Sequence, residues 1–172
     1  MEFKNVKNFE DFTVIVNGWN IDSELPEHVR AKYYELCCSQ KAFLHCNLTP
    51  VINCKLITEI ISGTVKVANF IRSCKLITAS KNDFANWNKC LDAFESMGMN
   101  VGFLQARLQQ LVKLYNEAML KRACLEGKIR NLEVMLMEIQ EAFASKEKEI
   151  ETLKWEAERH DVKFQAEVNA PW

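Results

Sequence analysis

The sequence predicts an all-α fold, in which a small N-terminal bundle of about three helices is followed by one very long coiled-coil helix. Three observations lead to this prediction. Glycine and proline are scarce, at 5 and 3 of 172 residues, whereas an all-β fold needs many turns. Hydrophobic residues make up 48% and charged residues 26% of the chain, as in a folded protein. No proline occurs from Val101 to Val168, where apolar residues recur every three or four positions.

Residues 1–22 are predicted to be an arm or the remnant of a preceding domain. The stretch FTVIVNGW is β-prone, and Asn17-Gly18 is a turn signal. A single strand cannot satisfy its own edges. We therefore expect this segment either to complete another domain or to lie on the helices.

Residues 23–100 are predicted to form the helical bundle. Ser23 is a suitable N-cap for the first helix. Thr49 is a suitable N-cap for the second, with Pro50 at the first helical position. The second helix is apolar nearly all round, which places it at the centre of the bundle.

Two glycines in the bundle are given structural roles. Gly63, in ISGTVKVANF, is expected to permit close helix packing and not to hold an anion. Gly98 follows the third helix where a left-handed C-cap is expected. That helix carries an apolar stripe of Phe84, Trp87, Leu91 and Phe94.

Residues 101–172 are predicted to form a long coiled-coil helix with a C-terminal tail. At 1.5 Å per residue the helix is roughly 100 Å long. From Leu104 onwards the seam residues follow in steps of four and three without a slip, as a left-handed coiled coil requires. With Leu108 at position a, this interaction seam contains Leu104, Leu108, Leu111, Tyr115, Ala118, Leu125, Ile129, Leu132, Leu136, Ile139, Phe143, Ile150, Leu153, Ala157 and Phe164.

Three polar residues interrupt the seam: Arg122, Lys146 and His160. Arg122 and Lys146 are expected to reduce stability and to fix register or oligomer number. The alternative is that each long side chain reaches out of the seam into water. His160 is interpreted as a solvated residue near the helix end.

The residues beside the seam change from apolar to charged along the helix. Val112, Leu114, Met119 and Met135 suggest that the first half also packs on the bundle. In a parallel dimer the attractive flanking pairs are Lys121–Glu126, Lys128–Glu133 and Glu149–Lys154, and the repulsive pair is Glu156–Asp161. Such exposed pairs contribute about 0.2–1 kcal/mol each, so they influence orientation and do not drive association.

Little in the sequence predicts chemistry. Zinc requires four converging thiolate or imidazole ligands. The densest candidates are Cys37, Cys38, His45 and Cys46, which lack a C-x-x-C pair, so we predict no metal site and keep these four as weak candidates. No phosphate loop, nucleophile elbow or apolar acidic pair is recognisable. We therefore predict no catalytic residue, no cofactor and no small-molecule substrate.

Charge, cysteine content and hydropathy also limit the function. The net charge is −1, so no overall field attracts nucleic acid or an anionic membrane. No run approaches about 18 apolar residues, so no membrane span is expected. Seven cysteines and a start without an apolar signal region predict an intracellular, reducing compartment. Trp155, at the outermost position f, and Trp172, at the end, are candidate partner contacts.

Four stretches resemble a known plant family: ELPEHVRAKYYELCCSQKAFLH, EIISGTVKVANFIRSCKLIT, DFANWNKCLDAFESMGMNVGFLQARL and LVKLYNEA. They are similar to the region that follows the B3-type DNA-binding domain in a group of plant nuclear proteins, which begins with a phrase like FEDFTVIVNG. The second half also resembles the plant domain of unknown function that follows Agenet (Tudor-like) modules, whose long coil closes on a phrase like APW.

The resemblance covers nearly the whole chain, and it rests on packing motifs. It implies a nuclear protein that acts in transcription or on chromatin. It also implies that DNA is contacted only indirectly, through a B3 barrel that this sequence lacks. The chain is then a truncated product, a splice form or a fragment.

These observations predict a non-enzymatic module that pairs with itself or with a related coiled-coil protein. Four alternatives remain at this point. The first is a coiled-coil adaptor outside the nucleus, and the second is a scaffold whose seam is its own core. The third is a zinc- or redox-dependent protein that uses the cysteine cluster, and the fourth is a catalyst.

Overall fold

A computed structural model describes residues 3–50 and 52–171 of the chain. Within them lie one small hairpin and four α-helices, which confirms the all-α prediction. The hairpin strands are β1 (Ile15–Val16) and β2 (Trp19–Asn20). The helices are α1 (Glu27–Gln40), α2 (Cys54–Ser73), α3 (Lys81–Ser96) and α4 (Gly102–Val168). Short 3-10 turns span Phe3–Asn5 and Asp22–Glu24.

The contacts within the chain divide it into two compact units. The first unit is Met1–Glu117 and the second is Ala118–Trp172. The first unit contains the hairpin, α1 to α3 and the first turns of α4. The second unit contains the remainder of α4 and the residues after it.

The hairpin belongs to the hydrophobic core of the first unit. Asn17 and Gly18 have φ angles of 51° and 82°, as a two-residue turn between antiparallel strands requires, which confirms the predicted turn. Phe12 and Val14, just before β1, are completely buried. The Phe12 ring lies 5.1 Å from that of Tyr34 in α1, so the segment lies on the helices.

Both predicted N-caps were wrong. Ser23 lies in a 3-10 turn, and α1 begins after Pro26 without a side-chain cap. The cap of α2 is Asn53, whose side chain accepts a hydrogen bond from the Leu56 amide at 2.9 Å. Thr49 is used elsewhere, because its amide and hydroxyl donate to the Met97 carbonyl at 3.0 and 3.2 Å.

Helix α2 lies between α1 and α3, as predicted, and supplies eight buried side chains. It is nevertheless amphipathic, and Phe70 is 53% exposed although its ring stacks on that of Trp87 in α3 at 5.9 Å. Gly63 confirms the expected close packing, since a Cβ there would lie 2.5 Å from the Phe94 ring of α3. Gly98 confirms the predicted left-handed position, with a φ angle of 94°.

The first turns of α4 complete the core of the first unit. Leu104 and Leu108 are buried, and Leu111, Val112 and Tyr115 pack on the core while partly exposed. The expectation for Val112 is therefore confirmed. Leu114 is 60% exposed, so the expectation that it packs on the bundle was wrong. In the second unit, Met119 is half-buried and Met135 is 55% exposed.

The second unit is a helix whose side chains reach water on every side. Among the described residues 118–171 none is buried, and only Ala118, Met119 and Gly127 are half-buried. The 51 helical residues from 118 to 168 extend over about 75 Å at 1.5 Å per residue. In the described part of the chain, no helix has the length and hydropathy of a membrane span.

Candidate protein-interaction surface

The seam of α4 has two different environments. Its first members, Leu104 and Leu108, are 5% and 2% exposed in the core of the first unit. The Tyr115 ring packs edge-on against the Phe84 ring of α3 at 5.2 Å. Up to this point the seam is covered by the same chain.

From Ala118, which is half-buried, to Phe164 no seam side chain is buried among the described residues, and we call this stretch the exposed seam. Nine of its apolar side chains are 52–72% exposed. They are Leu125, Ile129, Leu132, Leu136, Ile139, Phe143, Ile150, Leu153 and Phe164. An exposed apolar stripe of this length is a candidate surface for another protein.

The two seam cations are already paired along their own helix. The Arg122 Nε donates to a Glu126 carboxylate oxygen at 2.9 Å. The Lys146 ammonium contacts the carboxylate of Glu149 in the same manner. Both glutamates flank the seam, so each positive charge is directed towards the side of the stripe while the aliphatic stem remains at the seam position.

One of the two candidate partner contacts can be described. Trp155 is 60% exposed, and the Arg159 guanidinium lies 5.4 Å from the centre of its ring. That cation–π contact is worth about 0.5–1 kcal/mol at an exposed site. Trp155 thus remains largely available for a partner, whereas Trp172 lies outside the described residues.

The cysteine and histidine candidates do not converge on one point. Cys37 is buried, while Cys38 and Cys46 are exposed. Burial raises the pKa of the Cys37 thiol to about 12, so it carries no thiolate for metal binding or nucleophilic attack at neutral pH. In residues 3–50 and 52–171, no group of three or more His, Cys, Asp or Glu side chains could hold a metal ion.

His45 instead forms a buried pair that the sequence did not indicate. Its Nδ1 lies 2.8 Å from the Tyr33 hydroxyl. Burial lowers the pKa of His45 to about 4, although Asp22 acts in the opposite direction. Burial likewise raises the pKa of Tyr33 well above its usual value. Both groups are therefore neutral at pH 7, and the pair is a structural element of the core.

A groove between α3 and the first turns of α4 is a further feature that the sequence did not reveal. Its volume is about 540 Å³, and its floor includes Phe84, Leu108, Val112 and Tyr115. The sequence pointed to this groove only through Val112, an apolar residue that lies beside the seam. The groove lies wholly within the first unit.

Comparison with known proteins supports part of the resemblance. The chain is 34% identical over 184 aligned residues to a B3 domain-containing protein of Oryza sativa subsp. japonica. The match covers 100% of this chain and 37% of the length of that curated relative. No family model matches, so the resemblance to the domain that follows Agenet modules stays a prediction. No solved structure matches either. The chain is thus similar throughout its length to a region of a plant B3 domain-containing protein.

Proposed function

We propose that this chain is a non-enzymatic interaction module of a plant nuclear B3-type protein. The exposed seam of α4 pairs with a second coiled-coil helix, from another copy or from a related chain. The observation that carries the proposal is the run of nine apolar side chains, each 52–72% exposed, at the positions that form a coiled-coil interface.

The physical reason for pairing is the cost of leaving this stripe in water. Full burial of a side chain such as Leu or Phe contributes about 1.5–3 kcal/mol. The nine apolar side chains are each 52–72% exposed, so covering one of them contributes about 1–2 kcal/mol. Charged flanking residues keep the rest of the helix soluble and confine association to the seam.

Similarity to the rice protein supports the cellular setting in the proposal. A B3 domain-containing relative suggests a role in transcription or on chromatin. On this view, DNA contact belongs to a domain outside this chain, and the module determines which chains are brought together. A coiled-coil adaptor outside the nucleus would use the same seam.

The test is sedimentation equilibrium of the chain over a hundredfold range of concentration. We expect a mass near twice 19.9 kDa. The double variant Leu132→Asp/Leu136→Asp places charges in the interface, and we expect it to be monomeric at every concentration. Its helical circular dichroism from the first unit should be unchanged, because both side chains are already more than half exposed.

A matched control separates the seam from general hydrophobicity. Val134 and Met137 lie in the same turns, off the seam, and are 55% and 61% exposed. The variant Val134→Asp/Met137→Asp adds the same charge and should keep the dimer. A seam variant that still associates, or a control that dissociates as readily, would contradict the assignment.

A further inference from the structure

We propose that the partner of the exposed seam is a second copy of this chain in antiparallel orientation, with Ala118 of one copy opposite Phe164 of the other. The inference rests on the proposed function and adds the identity and direction of the partner. Four properties of the seam bear on it: side-chain size, the length of the exposed seam, charge in the interface and charge on the flanks.

Side-chain size favours the antiparallel order. Reversing one helix places each a position opposite a d position of the other copy. Ala118 then faces Phe164, and Ala157 faces Leu125, so each small side chain meets a large one. In a parallel pair in register, Ala118 would face Ala118 and Phe164 would face Phe164. The Ala118 layer would then be underpacked and the Phe164 layer crowded. Interfaces, like protein interiors, tolerate neither gaps nor overpacking well.

The length of the exposed seam fits the same alignment. The stretch begins at the half-buried Ala118, the first residue of the second unit, and closes at Phe164. When these two residues face each other, every seam position between them has a counterpart in the second copy. A shift by one heptad would leave positions unpaired and would bring Ala118 opposite Ala157.

Charge inside the interface also favours antiparallel pairing. A parallel pair in register would place Arg122 against Arg122 and Lys146 against Lys146. The antiparallel pair places Arg122 opposite His160 and Lys146 opposite Leu136, which separates the like charges. The intrahelical ion pairs of Arg122 and Lys146 are compatible with this arrangement, since they lie at the edge of the seam.

Charge on the flanks acts against this orientation, but weakly. Antiparallel pairing gives two attractive and two repulsive kinds of flanking pair. Parallel pairing gives three attractive kinds and one repulsive kind. Among the repulsive antiparallel contacts is Lys121 with Lys163. Exposed ion pairs contribute little each and are screened by salt. Side-chain size and charge inside the interface therefore determine the orientation.

Two charge reversals distinguish the orientations. In the antiparallel dimer, Lys121→Glu and Lys163→Glu each convert the Lys121–Lys163 repulsion into attraction. We expect each to lower the dissociation constant of the full chain by about three- to tenfold in low salt, measured by sedimentation equilibrium. The double variant restores a like-charged pair and should return close to the wild-type value.

The parallel dimer makes different predictions for the same variants. There Lys121 faces Glu126, so Lys121→Glu would raise the dissociation constant. Lys163 faces Val168, so Lys163→Glu would leave it unchanged. That result, or a mass of three or four chains, would overturn the antiparallel dimer while the proposed function stands. A wild-type chain that remains monomeric would overturn the second copy as the partner, and the proposed function would then require a related chain.

Discussion

Acidification should destabilise the first unit through His45. This side chain is 5% exposed, and its Nδ1 is bonded to the Tyr33 hydroxyl. Burial lowers its pKa in the folded chain from 6.5 to about 4. Below pH 6.5 the unfolded chain therefore takes up a proton that the folded chain excludes. The contribution of neutral His45 to stability is complete above pH 6.5 and is lost progressively as the pH falls towards 4.

The size of this effect follows from the two pKa values. The interval between 6.5 and about 4, at 1.36 kcal/mol per pH unit, corresponds to about 3 kcal/mol. That is a large fraction of the 5–15 kcal/mol by which a typical domain is stable, in order of magnitude. The loss should be most visible between about pH 6 and pH 4.5.

Urea unfolding followed by tryptophan fluorescence at several pH values measures this loss. The variant His45→Gln keeps a polar group that can hydrogen-bond with the Tyr33 hydroxyl but cannot be protonated in this range. It should be less dependent on pH than the wild type between pH 6.5 and 4.5. The exposed His28 provides the control, and His28→Gln should retain the wild-type dependence. Equal slopes for wild type and His45→Gln would refute the reasoning.

Four further substitutions test the packing of the first unit by thermal and urea unfolding. Gly98→Ala should cost about 3–5 kcal/mol of stability, because the residue has a φ angle of 94° and a Cβ there would lie 1.9 Å from a backbone oxygen. Gly102→Ala is the control, because a Cβ there meets open space, and it should stabilise by about 0.5–1 kcal/mol. Equal effects would contradict the close approach. Gly63→Ala should cost about 1–3 kcal/mol because the Phe94 ring must move, and a neutral result would contradict that packing. Ser80→Ala removes the capping box of α3 and should cost about 0.5–2 kcal/mol.

Sequence reasoning succeeded where a feature depends on neighbouring residues. The Asn17-Gly18 turn and the left-handed Gly98 follow from local backbone preferences, and both are present. It failed where distant residues compete for the same group. Thr49 was expected to cap α2, but the carbonyl of Met97 takes both of its donors. The residue that caps α2 is Asn53, four residues later.

The buried Tyr33–His45 pair shows the same limit. The two residues are twelve positions apart, across the end of α1. No period or spacing rule connects them, because the pairing depends on the path of the chain after α1. The sequence indicated His45 only as a weak metal candidate, whereas its hydrogen bond and burial give it a place in the core.

The seam illustrates a more general limit. Leu108 and Leu136 occupy the same heptad position, and nothing local distinguishes them. Leu108 is 2% exposed in the core of the first unit, whereas Leu136 is 56% exposed. A period of 3.5 residues predicts that one face of the helix is covered, but it does not say whether the cover comes from the same chain.

This difference makes folding and association separable by mutation. Leu108 belongs to the core of the first unit, so Leu108→Ala should cost about 2–5 kcal/mol of its stability. Leu136 is outside that core, so Leu136→Ala should leave the unfolding of the first unit nearly unchanged and weaken association instead. The opposite outcome is that both substitutions lower the stability of the first unit equally at concentrations where the chain is monomeric. That result would contradict Ala118 as the boundary between the core part of the seam and the exposed seam. If Leu136→Ala alone weakened association, the single helix would carry two independent functions along one continuous seam.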